Sequence, residues 1–415
     1  MTIGELNKQK RQVIILYIAT LGGTLLGVLS SIVNTRFLDA SDYGDVRYVQ
    51  NIINLIASLL LFGYFLSGSR LLALSDNENY SKRIRGSMVI ILSFCSILLM
   101  LSCVLCYFIH LNEKPLVASL FLLSLPVCFY PLLTNYINTI AQGDNHIGRL
   151  SLSRFLPSLL YVPIAFFVYN NWGASSSIMI ILQWGCYSAI LFFIILSTPF
   201  SLNNLKHVFI KLNHENREYG LQLYWGSLVM VATNYLAGVT LGWFSSDNTE
   251  VGFYTLAMTV TTPLTMLPAT IGTTYFKEFA RQPKIPYKVM KYTIVITIIS
   301  CVCFILLIKP LVTYLYSDRY SVVGTYASYL AIGFSIHGIG DMINRYLGSH
   351  GQGKSIRNSS FANGILKIFG FTVLVYFFST PGALLTNILC STIYCSVLIY
   401  YYAKFVKNYE IQSKV

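Results

Sequence analysis

Apolar residues run along this chain in long blocks separated by short polar breaks. Twelve blocks stand out, at about 13–34, 48–72, 87–109, 116–141, 151–170 and 174–198, then 221–243, 251–276, 292–316, 323–349, 359–378 and 382–403. A helix needs roughly 20 apolar residues to cross about 30 Å of hydrocarbon, and the blocks meet that length. In lipid, backbone groups must be satisfied within a helix or a closed barrel. These blocks are too long and continuous for barrel strands. The pattern predicts an all-α integral membrane protein with about twelve transmembrane helices.

The blocks and breaks recur in step. Adding 208 takes Asp39 to Asp247, Gly44 to Gly252, Gly143 to Gly351 and Ser151 to Ser359, and 208 is half of the 415-residue chain. The expectation is one six-helix unit written twice, with an N-terminal lobe over 1–205, a cytoplasmic inter-lobe linker over 206–220 and a C-terminal lobe over 221–415. Six passages per half make both copies enter the membrane in the same direction, as parallel repeats about an axis along the membrane normal.

Composition supports the membrane reading. Hydrophobic residues make up 55% of the chain and charged residues 11%, whereas a soluble domain carries about 25% charged residues. A chain so poor in charge cannot cover a water-facing surface. The net charge of +13 is accounted for by the positive-inside bias and does not call for nucleic acid. With the N-terminus inside, twenty Lys and Arg fall on the cytoplasmic side and five on the other, namely Arg36, Arg47, Lys114, Lys309 and Arg319. That asymmetry predicts both termini in the cytoplasm. The run from Val13 is too long for a signal-peptide core and is read as a retained span. The nine cysteines all lie in apolar runs, and Cys103-Val104-Leu105-Cys106 reads as packing, not as a metal or redox site. No metal and no cofactor is implied.

Polar residues at helical spacing mark faces that avoid lipid. Arg47, Asn51, Asn54 and Ser58 share one face of the second block, as do Arg154, Ser158 and Tyr161 in the fifth and Asn135, Asn138 and Gln142 in the fourth. The eighth carries Thr255, Thr259, Thr262, Thr270 and Thr273. The tenth carries His337, Asp341 and Arg345, four residues apart. Such stripes often serve as helix–helix glue. Charges are costlier, at about 2.5–3.5 kcal/mol at mid-membrane, and usually face an interior or water. Asp341 is the only acid well inside a block, with Arg345 placed to neutralise it, and Lys367 follows in the next block. The cations of these blocks outnumber the acids, so the field suits an anion such as phosphate. Proline pairs at 126 and 131, 157 and 163, and 263 and 268 are expected to bend or loosen the fourth, fifth and eighth passages.

Residues 22–73 resemble the opening of Wzx-type polysaccharide flippases of the multidrug/oligosaccharidyl-lipid/polysaccharide exporter superfamily. The resemblance rests on Arg36-Phe37-Leu38, the Asp42-Tyr43-Gly44 turn, Gly63 and Arg70-Leu71-Leu72-Ala73. It continues in Glu250-Val251-Gly252-Phe253-Tyr254, Leu315-Tyr316-Ser317-Asp318-Arg319-Tyr320 and Gly351-Gln352-Gly353-Lys354. Ser317 stands where Gly is commoner. The resemblance implies a MATE-like, V-shaped pair of six-helix bundles in the bacterial cytoplasmic (inner) membrane. It also implies alternating-access flipping of undecaprenyl-diphosphate-linked oligosaccharide repeat units for O-antigen, capsule or exopolysaccharide synthesis, with polymerase and chain-length proteins as pathway partners.

The residues expected to meet such a substrate are Arg36, Arg47, Asn51, Asn54, Arg70, Arg154, Arg345 and Lys367, with His337 and Asp341 carrying a coupling ion. Two other readings stay open: a drug or cation antiporter of the same superfamily, and a membrane glycosyltransferase, polymerase or acyltransferase. The antiporter reading wants a deep acid in the N-terminal lobe, which the sequence does not supply. The enzyme reading has only Asp39, Asp42 and Asp45 and the lone intramembrane His to build on.

Overall fold

The computed structural model describes residues 3–144 and 146–412, which are helical almost throughout and contain no strand among those residues. The helices are α1 (Ile3–Phe37), α2 (Ala40–Leu59), α3 (Tyr64–Ala73), α4 (Glu78–His110), α5 (Pro115–Ser124), α6 (Tyr130–Gly143), α7 (Ile147–Trp172), α8 (Ser176–Leu196) and α9 (Lys206–Glu215). There follow α10 (Leu221–Phe244), α11 (Thr249–Thr261), α12 (Pro263–Thr274), α13 (Phe276–Phe279), α14 (Tyr287–Tyr316), α15 (Ser321–Ser349), α16 (Gly353–Phe369) and α17 (Val375–Gln412).

Among the described residues, seven helical stretches are long and apolar enough to cross a membrane, and the pair α2–α3, bent by 60°, makes an eighth. One stretch, Gly353–Tyr409, runs for 57 residues and breaks at Ser379 (φ 51°, ψ −134°), so it holds two passages. The remaining passages are α5 with α6, α10, and α11 with α12. Twelve passages result, as the periodicity predicts. Lipid-facing stripes are visible where they should be: α4 exposes Phe94, Ile97, Leu101, Leu105 and Phe108, and α14 exposes Ile298, Ile299, Val302, Leu306 and Leu307.

The prolines act unequally. The fourth passage is broken between Ser124 and Tyr130, around Pro126, and Pro131 opens α6. The eighth breaks at Thr262, with Pro263 at the first position of α12, where a missing N–H costs nothing. Pro157 and Pro163 lie inside α7, which stays one continuous helix. Any loosening of the fifth passage by these prolines therefore does not take the form of a break.

The chain divides into two compact units, Met1–Leu228 and Val229–Val415. In the first, α1 lies along α7, and Tyr161, Ala165, Tyr169 and Tyr187 form a buried cluster. Gly23 permits that approach, because a Cβ there would sit 2.5 Å from the carbonyl oxygen of Arg154. Arg85 is buried and donates to both oxygens of Asp144 (2.8 and 3.2 Å), to Glu78 and to the carbonyl of Pro199, so it ties α4 to the ends of α6 and α8.

The segment 206–220 is α9 followed by a π-turn at Asn216–Gly220. It packs on the break between α2 and α3. That break leaves carbonyls without helical partners, and such groups need one. Asn216 Nδ2 donates to Phe62 O (3.0 Å) and the Tyr224 hydroxyl to Leu59 O (2.7 Å). Gly63 turns the chain at φ +77°, and a Cβ there would meet Gly220 at 2.5 Å.

In the second unit, Phe279, Ile285, Met342, Ile343, Tyr346, Leu347, Tyr394 and Leu398 form the described core cluster. The two halves share a polar anchor. Asp42, in the first turn of α2, accepts from Ser176 at the start of α8 (2.7 Å). Its counterpart 208 positions on is Glu250, in the first turn of α11, which accepts from Thr380, just past the break in α17, and from Tyr326 (2.8 Å).

Candidate functional site

Polar side chains inside the first unit line up as a seam of separate hydrogen-bonded groups. Arg47 Nη1 donates to Gln50 Oε1 (2.8 Å), and Gln50 Nε2 donates to Gln183 Oε1 on α8 (3.1 Å). The Arg47 guanidinium lies over the Tyr43 ring, 4.8 Å from its centroid, and its Nε has no hydrogen-bond partner among the described residues. Tyr161 and Tyr187 lie within electrostatic reach of Arg47. Tyr161 and Tyr169 both donate to Asn34 Oδ1, which fixes the end of α1 against α7. One turn nearer the start of α7, Ser158 and the Tyr187 hydroxyl are 3.1 Å apart. A further turn back, Arg154 Nη1 donates to Thr20 Oγ1 on α1 (2.8 Å).

Around Arg154 is a pocket of about 300 Å³, lined by Thr20, Gly23, Thr24, Tyr130, Thr134, Asn138, Ser153, Pro157, Ser158 and Tyr187 as well. From Tyr161 to Arg154 the seam covers about 10 Å of α7 at 1.5 Å per residue.

The remaining first-unit candidates are placed otherwise. Asn54 donates to the carbonyl of Gln50 (2.7 Å) and so stays on the Arg47 face, with Asn51 half-buried on the same helix. Arg36 is exposed at the end of α1. Arg70 is exposed and engaged elsewhere: it pairs with Glu215 (2.7 Å) and covers the Tyr219 ring at 4.5 Å, both from the 206–220 segment. Its position explains an inter-segment contact and places it apart from the seam.

The second unit gathers a different set. His337 and Asp341, one turn apart on α15, approach to 3.9 Å. Tyr394 on α17 donates to Asp341 (3.0 Å), accepts from Asn344 (2.8 Å) and stacks on the His337 ring at 4.5 Å and 20°. Lys367 on α16 donates to Asn234 on α10 (3.1 Å) and lies within electrostatic reach of Asp341, His337 and Cys390. The expectation that Arg345 neutralises Asp341 is corrected: the described partners of the carboxylate are His337 and Tyr394. Arg345 is exposed, and its Cβ and Cγ lie where a side chain on Gly272 would go. The helix turn that separates Asp341 from Arg345 brings the two near in sequence, but the tyrosine from α17 takes the carboxylate.

The threonine line of the eighth passage gives its protons to its own helix. Thr259 donates to Thr255 O (2.8 Å), Thr262 to Met258 O (2.8 Å) and Thr273 to Ala269 O (2.9 Å). None of those three bonds crosses to another helix.

Several members of these sites escape a periodicity search. Gln183 stands singly in apolar sequence, and Tyr394, Asn344, Gln50, Asn34 and Thr20 fall outside the stripes that helical spacing picks out. The signal that could have found them is chemical: an amide or a tyrosine inside a membrane helix needs a partner.

The sequence matches the family described as "Polysaccharide biosynthesis protein" over residues 10–281. No curated protein gives a significant match. Among solved structures, the chain is similar to the lipid II flippase MurJ in its inward closed conformation, with a TM-score of 0.74 at 15% identity over 96% of this chain and 91% of that one. It is also similar to a multidrug resistance MATE family transporter of the MOP superfamily. The inward-facing form gives a TM-score of 0.62 at 16% identity over 97% and 99% of the two chains. The outward-facing form gives 0.58 at 14% identity over 97% and 96%. At such identities the likeness establishes the fold, a MurJ- and MATE-like arrangement of membrane helices. The family match covers well over half of the 415 residues, and on that ground the chain belongs to the polysaccharide biosynthesis protein family.

Proposed function

We propose that the protein is a Wzx-type flippase. In this reading it moves undecaprenyl-diphosphate-linked oligosaccharide repeat units from the cytoplasmic to the outer leaflet of the bacterial inner membrane by alternating access. The product feeds O-antigen, capsule or exopolysaccharide assembly, beside polymerase and chain-length proteins. Both termini face the cytoplasm. The observation that carries the reading is the Arg47–Arg154 seam inside the membrane helices of a polysaccharide biosynthesis family member. Two guanidiniums are held among hydroxyls and amides, with no carboxylate among their described partners. Guanidinium forks match diphosphate oxygens, and hydroxyls and amides suit sugars.

Arg47 and Arg154 hold the diphosphate as it enters, and Arg36, Asn51, Asn54, Arg345 and Lys367 provide secondary contacts along its route, while Arg70 stays with Glu215. In the second unit, a proton on the His337–Asp341 pair, beside the Tyr394 hydroxyl and the nearby Lys367, couples the cycle. Likeness to MATE transporters also supports a drug antiporter, but a cationic compound would be repelled by Arg154.

The test is deletion of the gene followed by analysis of membrane lipids. A flippase-deficient strain accumulates complete lipid-linked repeat units on the cytoplasmic leaflet. Accumulation of a chemically incomplete precursor would instead indicate an enzyme, and loss of drug efflux with normal polysaccharide would indicate an antiporter.

A further inference from the structure

The pocket at Arg154 has a chemistry more specific than a positive charge. Four of its hydroxyls have already spent their protons on backbone carbonyls. Thr20 Oγ1 donates to Leu16 O (2.7 Å), Thr24 to Thr20 O (2.9 Å), Thr134 to Tyr130 O (3.0 Å) and Ser153 to Leu150 O (2.9 Å). Thr24, Thr134 and Ser153 therefore keep both lone pairs for an incoming donor, while Thr20 Oγ1 already accepts from Arg154. Arg154 gives one N–H to Thr20 and retains others, and Asn138 adds an amide. One wall is aromatic: the Tyr130 ring lies 5.4 Å from Tyr187 and 5.7 Å from Trp184. The lining contains no carboxylate. At about 300 Å³ the space lies at the lower bound of small-molecule sites, roughly 300–1,000 Å³.

We propose that this pocket is a subsite for one pyranose ring carrying an anionic group. Ring hydroxyls donate to Thr24, Thr134 and Ser153, a C–H face lies on Tyr130, and Arg154 holds the anion. A lipid tail has no use for three acceptors, and an organic cation finds no acid here. A neutral sugar leaves the guanidinium unpaired. The inference rests on the flippase reading and deepens it by placing a sugar next to the charge. The anionic group has two chemical sources, the diphosphate that links the first sugar to its lipid, or a uronic carboxylate within the repeat unit.

The experiment uses the full chain in lipid nanodiscs and three probes: citronellyl diphosphate bearing N-acetylglucosamine, citronellyl diphosphate alone, and free glucuronic acid. The variants are Arg154→Gln and the isosteric pair Thr134→Val with Asn138→Leu. Only variants that melt like the wild type are compared, with Arg154→Lys as the conservative check. The sugar-bearing probe binds the wild type about tenfold tighter than the bare diphosphate, and the double variant erases most of that difference while leaving the bare probe unaffected. Arg154→Gln weakens both diphosphate probes about tenfold if the diphosphate is the anion. If instead glucuronic acid competes with the sugar-bearing probe on the wild type but not on Arg154→Gln, the subsite stands and the anion is the uronic carboxylate. If the double variant and Arg154→Gln bind all three probes as the wild type does, the subsite is refuted while the flippase reading survives. If the wild type binds neither diphosphate probe, the flippase reading fails as well.

Discussion

Three glycines on one helix make a quantitative test of how the first unit is assembled. A Cβ on Gly23 would lie 2.5 Å from Arg154 O, a backbone atom of α7, whereas ordinary contact begins at 3.4 Å. Gly23→Ala therefore forces α1 and α7 apart by about 0.9 Å, and overpacking of this kind costs about 1–3 kcal/mol. The Thr20–Arg154 bond, 2.8 Å long, stretches beyond hydrogen-bond range if the whole shift falls along it, and a charge-assisted bond contributes about 1.5–3 kcal/mol. Against that, replacing a helical Gly by Ala gains about 0.5–1 kcal/mol.

Gly22 faces only the edge of the Phe155 ring, at 3.0 Å, and a ring can turn aside. Gly27 has nothing within 4 Å. The expected order of stability is thus Gly27→Ala at or above wild type, Gly22→Ala close to it, and Gly23→Ala well below. For a unit of this size about 2–4 °C corresponds to 1 kcal/mol, so Gly23→Ala melts roughly 3–20 °C lower and Gly27→Ala about 1–4 °C higher. Thermal unfolding in one detergent, followed by tryptophan emission, reads the series. A Gly23→Ala protein that melts with Gly27→Ala would refute the α1–α7 contact and with it the geometry of the Arg154 pocket.

Other perturbations address the remaining contacts. Arg85→Gln leaves Asp144 and its neighbours without their cation in a buried setting, and breaking such a pair costs about 3–5 kcal/mol; expression and melting should both fall, with Asp144→Asn doing the same. Asn216→Ala removes the donor to Phe62 O and costs about 1–3 kcal/mol, which should appear as faster amide exchange at residues 60–64. Glu250→Leu removes the acceptor for Tyr326 and Thr380 and should cost more than Glu250→Gln, by about 1.5–3 kcal/mol in equilibrium unfolding. Asp341→Asn with normal protein levels should reduce export of polysaccharide, and Tyr394→Phe should reduce it less; full activity in both would remove the second-unit cluster from the mechanism.

The passages were legible because lipid imposes a length and an apolar run on each, and the repeat was legible because its breaks fall at a constant offset. The breaks within passages were harder to read. Pro126 and Pro263 mark two of them, but the bend after α2 carries no proline. Its signature is Gly63, and its stability comes from Asn216 and Tyr224, about 150 residues away in sequence. Arg70 illustrates the same limit. Its spacing suits a substrate face, yet Glu215 reaches it first. Periodicity tells which residues share a helix face, while partners from other helices decide what that face does. Arg345 and Tyr394 exchange roles around Asp341 for that reason.

The duplicated frame separates what builds the fold from what does chemistry. The acid that anchors the second passage recurs, as Asp42 and Glu250, and in both halves a hydroxyl from the start of the last passage satisfies it. The charged residues of the two polar clusters do not recur. At the offset of 208, Arg47 corresponds to Thr255 and Arg154 to Ala362, while His337, Asp341 and Lys367 correspond to Phe129, Leu133 and Leu159. A burden shared by both halves, such as spanning the bilayer or closing a helix pair, would be expected to leave matching residues in both. Charges inside membrane helices are costly, so their presence in one copy and their absence from the other argues that each cluster serves a task the other half does not perform. The first half holds guanidiniums among hydroxyls and amides, the second an acid with a histidine and a lysine. That division is what an anion site in one unit and a proton site in the other would require.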